Sequence, residues 1–286
     1  MRSTPLPRFL TGSAAGHRDD RILPVTRWAA RFIIPFLAAA FLVLYGVPDR
    51  TTEFFAWTIR PEMTAIIMGA GYGAGVYFFY RVATGSRWHA VAPVFLGITA
   101  FTWAMAIATV LHWAAYNHGH HTFALWVFLY AVTPLLIPGL WLLNRRTDPD
   151  EFGPRDVPLP GSIRLGGAIL GFGITVTAIV LFIAPELMIA TWPWIVYPLT
   201  GRVLAGWFAL LGIVNVAAAF DRRWSAVRIL VQSQLLGFGL VLAGAVRVWD
   251  NFDPSNPLTW GVVGGMGLYF IALIGLYWHM EARQPS

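Results

Sequence analysis

Phe55-Ala56-Trp57-Thr58-Ile59-Arg60-Pro61 is an aromatic segment stopped by a proline, and it runs straight into a long apolar stretch. Trp192-Pro193-Trp194-Ile195-Val196-Tyr197-Pro198 repeats that pattern 137 residues later, with the same sequel. Such segments mark the entry to a membrane helix. Amphipathic rings favour the headgroup level, and proline suits the first helical turn, where its missing N–H would have no partner. Outward from these two entries the chain resolves into eight apolar runs, about 28–47, 61–82, 91–113, 123–143, 165–190, 200–220, 227–247 and 260–280. A helix of about 22 residues rises about 33 Å, enough to cross a hydrocarbon core of about 30 Å. The expected fold class is therefore all-α: a polytopic membrane helix bundle with eight transmembrane helices.

Composition agrees. Apolar residues make up 57% of the chain and charged residues 12%, about half the charge of a soluble domain. The absence of cysteine excludes disulfides, thiolate metal sites and cysteine nucleophiles. All basic residues are arginine, and they lie between apolar runs instead of forming a basic face with stacking aromatics, so nucleic acid is not an expected partner. Sixteen arginines fall on one set of connections and the tails, and four (Arg50, Arg60, Arg202 and Arg247) on the other. By the positive-inside rule both termini are expected in the cytoplasm of a bacterial plasma membrane.

The two entry segments belong to a longer correspondence. Pro48-Asp49 matches Pro185-Glu186, and Trp57 and Pro61 match Trp194 and Pro198, all at an offset of 137. Arg87-Trp88-x-Ala90-Val91 matches Arg223-Trp224-x-Ala226-Val227 at 136, and Trp113 matches Trp249 at 136. A nearly constant offset implies duplication: two four-helix repeats, 27–143 and 165–280, joined by a charged, proline-rich cytoplasmic linker at 144–164. Residues 1–26 read as a disordered cytoplasmic tail and 281–286 as a second one. Four spans per copy is an even number, so the copies face the same way, as parallel repeats.

Candidate sites concentrate at the arginine-poor, outer end. Glu62 opens the second span, Arg202 opens the sixth, and His112 and Arg247 close the third and seventh. Ionisable groups at span ends are costly unless they snorkel or pair. Two readings follow for these four: they share an outward-facing polar pocket between the repeats, with Trp194 and Tyr197 roofing it or anchoring the interface, or they simply snorkel and pair at the surface. His112 with His118, His120 and His121 puts four imidazoles within ten residues, a set that could hold zinc or copper in an irregular loop. The bland alternative is a solvated polar loop.

Three other features read structurally. The glycines of Gly69-Ala70-Gly71-Tyr72-Gly73-Ala74-Gly75, and the pairs Gly167/Gly171 and Gly261/Gly265, read as close helix packing, since no strand precedes them as a dinucleotide loop requires. Asn215, Gln232 and Gln234 read as interhelical hydrogen-bonding amides. Pro134 and Pro138 should kink the fourth span. No nucleophile–base pair, paired carboxylates or phosphate loop is apparent, which favours a non-enzymatic role, and the sequence requires no cofactor.

The stretch Phe55-Ala56-Trp57-Thr58-Ile59-x-Pro61-x-Met63-Thr64-Ala65 with Gly69-Ala70-Gly71-Tyr72 resembles an uncharacterised family of multi-span proteins from actinobacteria and related high-GC bacteria. Leu111-His112 and Trp192-Pro193-Trp194…Pro198-Leu199-Thr200-x-Arg202 resemble it too. The resemblance implies a multi-span membrane fold and no particular activity. Haem A synthases share the outline of eight spans in two fours, but they hold haem between histidines of both halves, and the second half here has only His279. Three expectations follow: binding or transport of a small or lipidic molecule between the repeats, a metal or redox enzyme using the outer histidines, or a structural subunit without a ligand.

Overall fold

The computed structural model describes residues 19–153 and 156–284. The described chain is an all-α polytopic bundle, with eight helices long and apolar enough to cross a membrane. Helix α1 (Pro24–Phe41) continues as a π-helical turn at Leu42–Gly46, and the short α2 (Thr51–Phe54) follows. The long helices α3 (Glu62–Thr84), α4 (Ala92–Leu111) and α5 (His121–Asn144) complete the first half. The second half contains α6 (Gly161–Ile183), the short α7 (Pro185–Thr191), α8 (Pro198–Phe220), α9 (Trp224–Arg247) and α10 (Pro257–Glu281). One-turn 3₁₀ helices at Trp113–Ala115 and Trp249–Asn251 close α4 and α9.

Prolines set several boundaries. Pro24, Pro198 and Pro257 open α1, α8 and α10, where a missing N–H costs nothing. The apolar run expected at 165–190 divides in two, because Pro185 has no N–H to continue α6 and restricts Ala184 before it. Pro134 and Pro138 lie inside α5, which remains one helix throughout. Of the expected N-terminal tail, residues 1–18 lie outside the described residues. Within 19–26, Asp20, Ile22 and Thr26 are buried, and Leu23 N–H donates to Asn144 Oδ1 at 2.9 Å. Of the linker, 154 and 155 lie outside the described residues, while Val157 and Leu159 are buried against the bundle.

The helices pack in two rows. One row runs α1, α3, α9, α10 and the other runs α6, α8, α4, α5. Each row therefore takes two helices from each half of the sequence. The consecutive helices α3 and α4 barely meet; α3 lies on α9, and α4 lies on α8. Elements recur along the chain at a fixed spacing. The starts of α3 and α5, the end of α4 and the 3₁₀ turn after it all reappear 136 residues later in α8, α10, α9 and their turn.

Small residues permit the close contacts. A Cβ on Gly71 would run into the Trp207 ring, and one on Gly69 would meet the Tyr45 backbone N at 2.8 Å. Gly171 lies against the backbone of Gly212. Gly167, Gly261 and Gly265 have nothing within 4 Å of a Cβ, so the packing read into those three does not occur within this chain. The intramembrane amides do link helices, as expected: Tyr269 donates to Gln234 Oε1 at 2.9 Å, and Gln232 Nε2 donates to Tyr277 at 3.0 Å.

Candidate functional site

The charged residues at the arginine-poor end do not form one pocket. Each is held locally, chiefly by helix ends. The last carbonyls of a helix lack intrahelical donors and carry partial negative charge, so a cation stabilises them. Arg247 donates to the carbonyls of Tyr45 at 2.6 Å and Gly46 at 3.2 Å, capping the first span from α9. Arg202 does the same for the fifth span, its Nε donating to Phe182 O at 3.0 Å. A second Arg202 nitrogen donates to His112 Nε2 at 2.7 Å, so His112 serves as a neutral acceptor. Its pKa lies below the ordinary imidazole value, because of partial burial and then the neighbouring Arg202 cation.

Glu62 pairs with Arg60 at 3.8 Å, not with Arg202 or Arg247. It shares a shallow 220 Å³ recess with Tyr197 and Asn251. Trp194 and its counterpart Trp57 are buried at 4% and 3% exposure, so neither is an interfacial anchor. Trp194 Nε1 donates to Thr64 Oγ1 at 2.8 Å, and Trp57 packs among Phe55, Tyr116 and Trp126. The structure thus joins His112 to Arg202 and Glu62 to Tyr197, and leaves Arg247 and Trp194 apart from both.

The histidines at the arginine-poor end are likewise divided. His118 bonds to Trp113 O at 2.9 Å, and His120 caps α5 through Thr122, while His121 is exposed. Among the described residues no three His, Asp or Glu side chains are grouped so that they could hold a metal.

The large cavity lies deeper. It has a volume of about 980 Å³ and is lined by all eight long helices. Its wall runs from Phe55, Thr122 and Trp192 near the arginine-poor end to Phe79, Val94 and Leu230. Among the described residues no charged one lines it; the polar contribution comes from hydroxyls such as Thr102 and Ser233, from Gln234, and from the mutually bonded hydroxyls of Tyr72 and Tyr130 at 2.9 Å. None of the six residues expected to bind a ligand lines this cavity. Its signal was absent from the sequence because it is space left between two rows, each built from distant segments. An ion placed there would lose its hydration without a counter-charge, whereas an apolar molecule would not.

At the arginine-rich end the structure makes a contact that the sequence concealed. His89 Nε2 lies 2.8 Å from Ser225 Oγ, and His89 Nδ1 bonds to Asp20. A nucleophile–base–carboxylate order therefore exists after all. It is not presented to a substrate, because His89 is 2% exposed and Ser225 Oγ donates to Asp156 Oδ2 at 2.5 Å. The signal was the unassigned position in Arg-Trp-x-Ala-Val, which is His89 where the motif first occurs and Ser225 where it occurs again.

Comparison of the chain with protein-family models, with curated proteins and with solved structures gives no significant match.

Proposed function

We propose that this membrane protein binds one lipidic molecule in the cavity between its two helix rows. The carrying observation is the cavity itself: about 980 Å³, reached by all eight long helices and with no charged side chain among the described residues that line it. Ligand cavities commonly span about 300–1,000 Å³. The apolar wall selects an apolar body, and the few hydroxyls and Gln234 supply hydrogen bonds for one weakly polar group. The polar recess at Glu62 and Tyr197 is too small for the main body of such a ligand and lies apart from it.

Gly173 gives the test. It lines the cavity and has nothing within 4 Å of a Cβ. Gly173→Leu should leave the fold intact and fill ligand space. Overfilling a packed site costs about 1–3 kcal/mol, so retention should weaken about tenfold or more. Mass spectrometry of organic extracts from protein purified in mild detergent reads this directly. A bound molecule absent from wild type, or retained equally by the variant, sinks the proposal.

The recurrence of elements at 136 residues supports duplication into two parallel repeats; superposing 28–143 on 165–280 should align four helices with four, and a poor fit would refute it. The arginine distribution supports cytoplasmic termini. A C-terminal reporter active only outside the cytoplasm should stay silent, and activity would reverse the assignment.

A further inference from the structure

We infer that Asp20, His89, Ser225 and Asp156 form a one-proton site that ties the two halves of the chain together at the arginine-rich end. The four residues are two matched pairs, since Asp156 and Ser225 each lie 136 positions after Asp20 and His89. The pairs have matching geometry. His89 N–H donates to Asp20 Oδ1 at 3.0 Å, and Ser225 N–H donates to Asp156 Oδ1 at 3.1 Å. The second oxygen of each carboxylate takes the side chain: Asp20 Oδ2 meets His89 Nδ1, and Asp156 Oδ2 meets Ser225 Oγ. The pairs join at His89 Nε2 and Ser225 Oγ, 2.8 Å apart.

Counting hydrogens assigns the proton. A hydroxyl has one donor. With the Ser225 proton directed to Asp156, its oxygen accepts from His89 Nε2–H. His89 Nδ1 faces a carboxylate that already accepts from a backbone N–H, so Nδ1 donates as well. Both ring nitrogens then carry protons. Without that extra proton Ser225 can donate to His89 or to Asp156 but not to both, and one of the three side-chain contacts has no hydrogen.

The charged groups around His89 are Asp20 from the N-terminal segment, Asp156 and Asp148 from the linker, and Arg223 beside Ser225, the last held by Asp148 and Asp221. The site sits at the opposite end of the bundle from the capped Arg202 and Arg247, and none of its four residues lines the large cavity.

The test uses the full chain in lipid nanodiscs, labelled with ¹⁵N-histidine, with the His89 signals identified by their loss in His89→Gln. Near neutral pH both His89 ring nitrogens should show attached hydrogens. In Asp156→Asn the Ser225 N–H still requires the amide oxygen, so the amide nitrogen turns to Ser225 Oγ. The Ser225 proton then points at His89 Nε2, and the ring should lose one of its two protonated signals. Ser225→Ala, which removes the bridge with little change in volume, should also lose the Nε2–H signal. A singly protonated His89 in wild type overturns the proposal, as does a ring unchanged in whichever of these variants folds.

Discussion

Arg223→Ala should be the most damaging single substitution at the arginine-rich end, costing about 3–5 kcal/mol, the range for breaking a buried ion pair by removing one partner. Arg223 is 3% exposed. Its guanidinium makes two forked contacts: to Asp148 at 3.0 Å through both terminal nitrogens, and to Asp221 at 2.9 and 2.7 Å. Removing it strands two largely buried carboxylates beside the start of α9. Arg223→Lys keeps the charge but cannot reproduce the fork, so it should fall between wild type and alanine. Thermal unfolding of the purified protein in a single detergent would rank the three. An alanine variant as stable as wild type would show that the cluster contributes nothing.

The same cluster makes stability depend on acid. Burial acts to raise the Asp148 pKa, but hydrogen bonds from Arg223 and from the Asp150 backbone, with the Arg223 charge, outweigh it and hold it below the usual carboxylate value. A depressed carboxylate contributes stability above its unfolded-state pKa of about 4, and that contribution is lost as the pH falls through the lower folded value. Wild type should therefore lose stability in acid more steeply than Arg223→Ala, in which this contribution is already gone.

Gly171→Leu should separate α6 from the bundle. Its Cβ would sit 2.6 Å from Gly212 O and 2.8 Å from Val216 N. Those are backbone atoms of α8 and cannot swing aside as a side chain would. Overpacking costs about 1–3 kcal/mol and sometimes more, and α6 packs on α8 and the short α7 alone among the well-contacted elements. Gly167→Leu, one turn away on the same helix, is the control: nothing lies within 4 Å of its Cβ, and it should unfold like wild type. Equal unfolding temperatures for the two variants would dismiss the close contact.

The sequence made the helices legible because their signals are local. A proline at the first turn and a long apolar run fix a span without reference to any other part of the chain, as at Pro198 and Pro257. Partnership was much less legible. Arg202 and Arg247 could be placed near the arginine-poor end of their spans, but nothing in their neighbourhood shows that Phe182 O and the Tyr45 and Gly46 carbonyls await them. Trp57 and Trp194 carry the composition of an interfacial anchor and are nonetheless buried, because the loops that bear them fold inward onto α3, α5 and the second-half helices. His89 and Ser225 stood in the matched motif, yet neither residue type alone announces a contact. Their meeting depends on how two distant segments approach one another.

The exchange of helices between the rows has a consequence for how the chain is made. When α4 leaves the ribosome its main neighbour, α8, has not been synthesised, and α3, though it already has α1, must await α9 for its other face. α3 and α4 therefore enter the bilayer with the faces that bear Gly71 and Gly97 turned to lipid or to a chaperone, and the core closes only as the second half arrives. Cutting the chain within 144–164 should then yield two fragments that are each unstable alone and that restore the protein only when produced together.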